Sequence, residues 1–176
     1  MNLHTFLQTV PEFSEMTNEE LDTLERAMVV RDHPDGETIL CQNHGATDLY
    51  LIMQGEVEIL HERQNARGYQ VIKTMGPGEL VGLHSLISHR PTRVCCRTRG
   101  ETKLATLPRN AFDLLFQSNS LLTHHFQRIV ARQLAHDYSQ VLGVLKQIMF
   151  ASDEGEAAEA LQRHIDTPAQ ADTDAS

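Results

Sequence analysis

Residues 48–59 read Asp-Leu-Tyr-Leu-Ile-Met-Gln-Gly-Glu-Val-Glu-Ile. Two apolar runs flank the pair Gln54-Gly55, and each run is too short for a stable helix. Glycine beside a polar residue is a common turn signal. The stretch therefore predicts two short strands, Leu49–Met53 and Val57–Leu60, joined by a turn.

The same pattern continues outward on both sides of this stretch. Between Arg31 and Leu107, turn signals rich in Gly, Pro, Asn and Asp recur at short intervals, the last of them at Arg99-Gly100. Evenly spaced short strands are typical of a β-sandwich or barrel and not of βαβ units. We therefore predict a mainly β domain over residues 31–108. Its further strands are Thr38–Cys41, Tyr69–Thr74, Arg93–Thr98 and Lys103–Leu107.

Both ends of the chain show helical patterns. Thr17 followed by Glu20 forms a capping box ahead of apolar residues at helical spacing, which predicts an N-terminal helical segment over residues 1–30. After Pro108 the apolar period becomes helical again. This change predicts C-terminal helices over residues 109–150, with a short helix around Phe112 and a long helix from Leu121.

The long helix has an apolar stripe that exceeds what a small barrel needs. Leu134, Val141 and Ile148 recur at a heptad interval, as in a parallel two-stranded coiled coil. We expect a homodimer through residues 126–149. The alternative is a helix that folds back on its own domain. The full stripe consists of Val130, Leu134, Val141, Val144, Leu145 and Ile148.

Charge is unevenly distributed along the 176 residues. The net charge is −9, and residues 151–176 carry seven acids against Arg163, a net of −6. This segment has no aromatic residue, so we expect the helix to end near Phe150 and residues 151–176 to form an acidic disordered tail. Arg90, Arg93, Arg97, Arg99, Lys103 and Arg109 form one basic stretch. It forms either an anion-binding site or a solvent-exposed face whose positive charge offsets acidic residues elsewhere in the chain.

Several classes of protein are disfavoured. No apolar run approaches the length that spans a bilayer, and the N-terminus lacks the pattern of a signal peptide, so we expect a cytoplasmic protein. The three cysteines do not form a disulfide framework, and the ten histidines match no zinc spacing, so we expect no metal. No catalytic motif is present, and we expect no enzyme.

Three ordered motifs carry a family resemblance. They are residues 36–39 (Gly-Glu-Thr-Ile), residues 48–59, and residues 76–82 (Gly-Pro-Gly-Glu-Leu-Val-Gly). In order and spacing, the chain resembles the cyclic-nucleotide-binding domain of catabolite-activator-type regulators and kinase regulatory subunits, over about residues 10–148. The resemblance implies a double-stranded β-helix, or jelly roll, with an N-terminal helix and a long C-terminal dimerisation helix.

The resemblance also implies a ligand site called the phosphate cassette, a short helix followed by an arginine. Here it corresponds to Gly82–Ile87 followed by Arg90–Val94, with Gly82 and Arg93 at the matching glycine and phosphate-binding arginine. A helix N-terminus and a nearby arginine both favour an anion. The alternative role for Arg93 is a structural ion pair. The residues that the resemblance places at the ligand are Gly82, Leu83, His84, Ser85, Arg93 and Val94, with Asp137 and Tyr138 on the long helix.

Two positions depart from the family pattern. Leu83 replaces the glutamate that accepts a hydrogen bond from the ribose, and Val94 replaces a small residue. An unpaired sugar hydroxyl costs about 1–3 kcal/mol, which weakens ordinary cyclic AMP binding. Cyclic AMP, cyclic GMP and a cyclic dinucleotide therefore remain the candidate ligands, and no cofactor is required. Asp137 either contacts the base of the ligand or sets the register of a coiled coil.

Two functions follow from these features. The first is a stand-alone sensor domain that passes a ligand signal to a protein partner. The second is a pseudo-sensor with a vacant pocket that acts as a protein–protein interaction module. No helix-turn-helix follows the long helix in this sequence, so we expect no direct DNA binding.

Overall fold

The computed structural model describes residues 2–45, 47–62, 68–118 and 120–165. Helices come first, then the strands, then helices again, which confirms the predicted mainly β fold with flanking helices. The elements are α1 (Leu3–Thr9), a short 3-10 turn (Pro11–Phe13), α2 (Asn18–Ala27), β1 (Val29–His33), β2 (Thr38–Leu40), β3 (Asp48–Glu62), β4 (Tyr69–Met75), β5 (Leu80–Val81), α3 (Leu83–Ser88), β6 (Cys95–Pro108), α4 (Arg109–Gln117) and α5 (Leu121–Ile165).

The strands form one antiparallel, jelly-roll-like sheet in the order β1-β6-β3-β4. The short strand β2 also pairs with β6, and β5 pairs with β3. The long strands β3 and β6 pair with each other from Asp48↔Pro108 to Leu60↔Cys95. These two strands therefore form the framework of the domain.

The predicted turns at Gln54-Gly55 and Arg99-Gly100 do not separate strands. Both pairs lie inside continuous strands, and the pairing register shifts on either side of Gln54. Gly55 and Gly100 have φ of 81° and 70°, in the left-handed region that favours glycine. Each glycine thus marks an irregularity that bends a long strand, where the sequence predicted a reversal of the chain.

The N-terminal segment also differs from the prediction. Two helices and a 3-10 turn replace the single predicted helix, and the sheet already begins at Val29, inside the predicted helical segment 1–30. Val29 and Val30 are β-branched and pair with Thr106 and Ala105 of β6. Strand pairing therefore determines their conformation.

Strands and helices of the first unit share one hydrophobic core. Leu49 and Leu107 lie opposite each other on β3 and β6, and each is at most 1% exposed. They join one core with Leu24 of α2 and Phe112 of α4. The ring of Phe112 stacks on Phe116 at 5.4 Å and meets Phe126 of α5 edge to face at 5.7 Å.

The chain divides into two units, Met1–Leu134 and Ala135–Ser176. The first unit includes the start of α5, where Phe126, Ile129 and Val130 are buried in its core. This part of the proposed dimer segment 126–149 therefore packs within its own domain, as the alternative in the sequence analysis proposed. The side-chain environments of Val144, Leu145 and Ile148 lie outside the described residues.

Helix α5 continues past the predicted end at Phe150 and extends to Ile165. The structure thus differs from the predicted disordered tail over residues 151–165, and residues 166–176 lie outside the described part of the chain. Ala and Glu, which make up seven of the fifteen residues 151–165, are strong helix formers. Extending an existing helix also avoids the unfavourable nucleation step.

The predicted capping box at the start of α2 is present. The hydroxyl of Thr17 accepts a hydrogen bond from the Glu20 amide, and the Glu20 carboxylate accepts one from the Thr17 amide at 2.8 Å. His125 of α5 lies 3.2 Å from the same carboxylate. Burial alone would raise the pKa of Glu20, but these partners together lower it below its ordinary value. The carboxylate therefore stabilises α2 in its ionised form.

Replacing Glu20 with glutamine should lower the free energy of unfolding by about 1 kcal/mol near pH 7. A lowered pKa stabilises the fold above the ordinary carboxyl pKa of about 4.3, and this contribution is lost as the pH falls through the lowered value. Urea unfolding of both proteins across this range should therefore show the difference shrinking towards acidic pH. A difference that is constant with pH would contradict the assigned role of the carboxylate.

Candidate functional site

The predicted cassette is built around α3. Gly82 precedes this helix with φ of 93°, and its carbonyl accepts a hydrogen bond from the Leu86 amide at 3.2 Å. Leu83, Ser85 and Leu86 are buried, whereas His84 is exposed. The left-handed conformation explains why glycine stands at position 82.

A buried hydroxyl joins α3 to the segment that follows it. The Oγ of Ser85 donates a hydrogen bond to the carbonyl of Arg90 at 2.6 Å. His89, between them, ends the helix in the left-handed region with φ of 53°. Among the predicted site residues, Gly82, Leu83, His84 and Ser85 therefore lie together at the start of one short helix. The arginine tied to this element is Arg90, which the resemblance did not assign.

Arg93 and Val94 lie just ahead of β6. Val94 packs against the core, and Arg93 is exposed. The two residues lie in a bend of the chain, and the strand begins at Cys95. The carbonyl of Arg93 lies 3.4 Å from Nδ1 of His61. The role of Arg93 at a ligand stays a prediction.

The remaining basic residues mostly have acidic partners on neighbouring strands. Arg97 pairs with Glu58 at 3.0 Å, Arg99 with Glu56 at 3.4 Å, and Lys103 with Asp32 at 3.3 Å. Arg109 contacts Nδ1 of His89 at 3.2 Å. Within the described ranges, the guanidinium groups of Arg90 and Arg93 form no ion pair. These two positive charges thus remain available to an anion.

Leu83 takes part in the hydrophobic core. Its side chain is 3% exposed and belongs to the same cluster as Leu86 and the strand residues. A glutamate at this position would lie buried among apolar side chains, which is unfavourable without a partner. Leucine in place of the family's glutamate therefore changes the packing of the core as well as the contact with a ribose.

Two cavities lie away from the cassette. One of about 330 Å³ is lined by residues of β1 to β3 and β6, including Arg31, Asp48 and Tyr50. Burial, together with nearby Asp48, raises the pKa of Tyr50 to about 12. The other, of about 370 Å³, lies beside Asp32 and Lys103. Neither cavity is lined by a residue of the predicted site, although residues of the motifs 36–39 and 48–59 line the first one.

The fold also brings together three polar residues that the sequence analysis did not connect. Nδ1 of His4 on α1 lies 2.8 Å from Asp22 and 3.9 Å from Glu25 on α2. Ligand atoms of these three residues could surround one metal ion. The short distance to Asp22 also fits a histidine–carboxylate ion pair. Only helix packing reveals this cluster, because its residues are separated in sequence.

Asp137 and Tyr138 belong to the unit that begins at Ala135. Tyr138 is 64% exposed, and Asp137 is half-buried. Their contact with a ligand base stays a prediction. No helix in the described ranges combines the length and the hydropathy needed to cross a membrane.

Comparison with known proteins connects this geometry to a family. Residues 30–119 match the family described as cyclic nucleotide-binding domain. Among curated proteins, the chain is similar to the potassium channel AKT1 of Oryza sativa subsp. indica, with 30% identity over 146 residues. The match covers 81% of this chain but 15% of the channel, so the chain corresponds to a small part of that protein.

Two solved structures show the same fold. A cyclic nucleotide-binding domain from Methylobacillus flagellatus aligns with a TM-score of 0.69 and 24% identity, covering 79% of this chain and 78% of the other. The catabolite activator protein of Thermus thermophilus aligns with a TM-score of 0.62 and 26% identity, covering 77% and 63%. These matches confirm the resemblance drawn from the sequence motifs. The chain belongs to the cyclic nucleotide-binding domain family.

Proposed function

We propose that this chain is a regulatory sensor domain that binds an anionic ligand at the cassette and passes the signal to a protein partner. The observation that carries the proposal is the pair of arginines in the segment between α3 and β6, Arg90 and Arg93, whose guanidinium groups have no ion pair in the described structure. Unpaired cations close to the cassette helix favour a phosphate. The site is non-catalytic, as the regulatory character of the family suggests.

The candidate ligands are cyclic AMP, cyclic GMP and cyclic dinucleotides. Their shared chemistry is a ring phosphodiester, which two arginines can contact with charge-assisted hydrogen bonds. The buried Leu83 offers no acceptor to a ribose hydroxyl. We therefore expect weaker binding of the simple cyclic mononucleotides than a glutamate at this position would give.

The alternative function is a pseudo-sensor whose pocket holds no ligand. The observation that favours it is again Leu83, because its packing into the core strengthens the apolar character of the site. In that case the domain would act as a protein–protein interaction module. A measurement of ligand binding distinguishes the two functions, because only the sensor domain binds a ligand.

We further propose that the signal leaves through α5 in a cytoplasmic homodimer. The exposed apolar residues Tyr138, Val141 and Leu142 lie at three- and four-residue steps on this helix and support the proposal. The partner is a protein and not DNA, because Arg97, Arg99 and Lys103 already pair with acids and the chain has a net charge of −9.

Replacing both Arg90 and Arg93 with alanine should weaken ligand binding at least about tenfold, since each arginine contributes a charge-assisted contact to phosphate. Thermal-shift screening against the three classes of cyclic nucleotide identifies the ligand, and titration calorimetry then measures the affinity. The two single variants show which arginine contributes more.

The matched control is Arg99→Ala. Arg99 is an exposed arginine on the neighbouring strand that pairs with Glu56, so its removal should leave the affinity unchanged. If the double variant binds as tightly as the wild type, the site lies elsewhere. If no cyclic nucleotide binds the wild-type protein, the pseudo-sensor function takes its place.

A further inference from the structure

The three cysteines of the chain converge where β2 meets β6. Leu40, the last residue of β2, lies opposite Cys96 in the antiparallel pairing. Beyond it, the Asn43 amide donates to the Thr92 carbonyl at 2.8 Å, and the Thr92 amide donates to the His44 carbonyl at 3.0 Å. The two chain segments are therefore held together on both sides of Cys41. The register shifts between Thr38 and Leu40, and continuing it by one residue from the Leu40–Cys96 pair places Cys41 opposite Cys95.

On this register, alternation puts the two thiols on the same face. Leu40 and Cys96 both belong to the hydrophobic core, so the next residues of each segment point to the opposite face. Cys95 is buried but lies outside the core cluster, and Cys41 is exposed. The amide of Gln42 donates a hydrogen bond to Sγ of Cys95 at 3.2 Å. This contact holds the Cys95 sulfur against the residue that follows Cys41.

Directly opposite residues of an antiparallel pair have Cα atoms about 4.5–5.5 Å apart. A disulfide requires Cα atoms about 4.4–6.8 Å apart, so this position needs little movement of the backbone. We propose that Cys41 and Cys95 are a site of oxidative modification that forms a cross-strand disulfide between β2 and β6. The bond joins the chain around Cys41 to the segment that carries Arg90 and Arg93.

The third thiol is not a reactant. Burial, together with the nearby thiols of Cys95 and Cys41, raises the pKa of Cys96 to about 12. Because the thiolate is the reactive form, Cys96 stays inert in the core. Its side chain is 2% exposed and belongs to the hydrophobic core.

With hydrogen peroxide as the oxidant, the reaction balances in two steps. The exposed Cys41 thiolate attacks a peroxide oxygen, the O–O bond breaks, and hydroxide leaves, which gives a sulfenic acid on Cys41. The sulfur of Cys95 then attacks the Cys41 sulfur, and the S–S bond forms as the S–O bond breaks. The leaving hydroxide takes up the Cys95 proton as water. Two electrons pass from the two thiols to the peroxide.

The test is oxidation of the full chain with hydrogen peroxide, followed by intact mass measurement and peptide mapping without reductant. We expect the loss of two hydrogen atoms and a peptide that joins Cys41 to Cys95. A crosslink that closes a long loop should also raise the melting temperature by about 5 °C or more. A reductant should reverse both changes.

The exposed position of Cys41 gives a variant that should fold normally, Cys41→Ser. This variant should lose both the mass change and the rise in melting temperature. Cys96→Ala is the matched control, because it removes the adjacent core thiol and should keep both changes. A link between Cys95 and Cys96, a link between two copies of Cys41, or an intact set of thiols after oxidation would each overturn the proposal.

Discussion

Replacing Gly55 with alanine should destabilise the domain by about 2–5 kcal/mol, a large fraction of the stability of a domain of this size. Gly55 has φ of 81°, so any side chain adds left-handed strain. An added Cβ would also lie 2.6 Å from the Glu101 carbonyl oxygen and 2.8 Å from Cα of Thr102. Since these are backbone atoms, the two long strands would have to separate.

Gly36→Ala provides the matched control for this prediction. Gly36 has nearly the same φ, 78°, but no atom lies within 4 Å of an added Cβ. It should therefore show only the left-handed strain, about 1–2 kcal/mol. Urea unfolding of the three proteins measures the difference. Equal free energies of unfolding for the two variants would contradict the predicted clash between β3 and β6 at Gly55.

The second large effect concerns the proposed dimer. Replacing Val141 and Leu142 with lysine should weaken self-association at least about a hundredfold, because each protomer would lose two apolar contacts worth about 1.5–3 kcal/mol each. These side chains are 57% and 37% exposed, so the changes should leave the fold intact. Leu134 is unsuitable for this test because it packs partly against the core of its own domain.

Light scattering at tens of micromolar measures the outcome. Leu114→Lys is the control, since Leu114 is an apolar residue that is 72% exposed on α4, outside the proposed interface. It should leave the oligomeric state unchanged. A wild-type protein that is already monomeric at these concentrations would contradict the dimer, as would equal weakening by the control variant.

The sequence by itself determined the family and the order of the elements. Through the family resemblance, the motifs around Gly36, Gly55 and Gly82 predicted the jelly roll, and all three glycines have a positive φ that favours this residue. The capping box at Thr17 was equally predictable, since it is a local interaction between residues three positions apart. The strand boundaries were less predictable, because the sequence does not distinguish a glycine that bends a strand from a glycine that ends it.

Only the tertiary structure decided which residues are available for function. The sequence showed six basic residues in one stretch, but the pairing of β3 with β6 placed Glu56 and Glu58 beside Arg99 and Arg97, and left Arg90 and Arg93 without an ion pair among the described residues. The pairing of β2 with β6, continued by one residue beyond Leu40, places Cys41 opposite Cys95. Local periodicity determines the face on which a side chain lies, whereas its neighbours on that face depend on strand register, which is fixed by contacts between residues far apart in the chain.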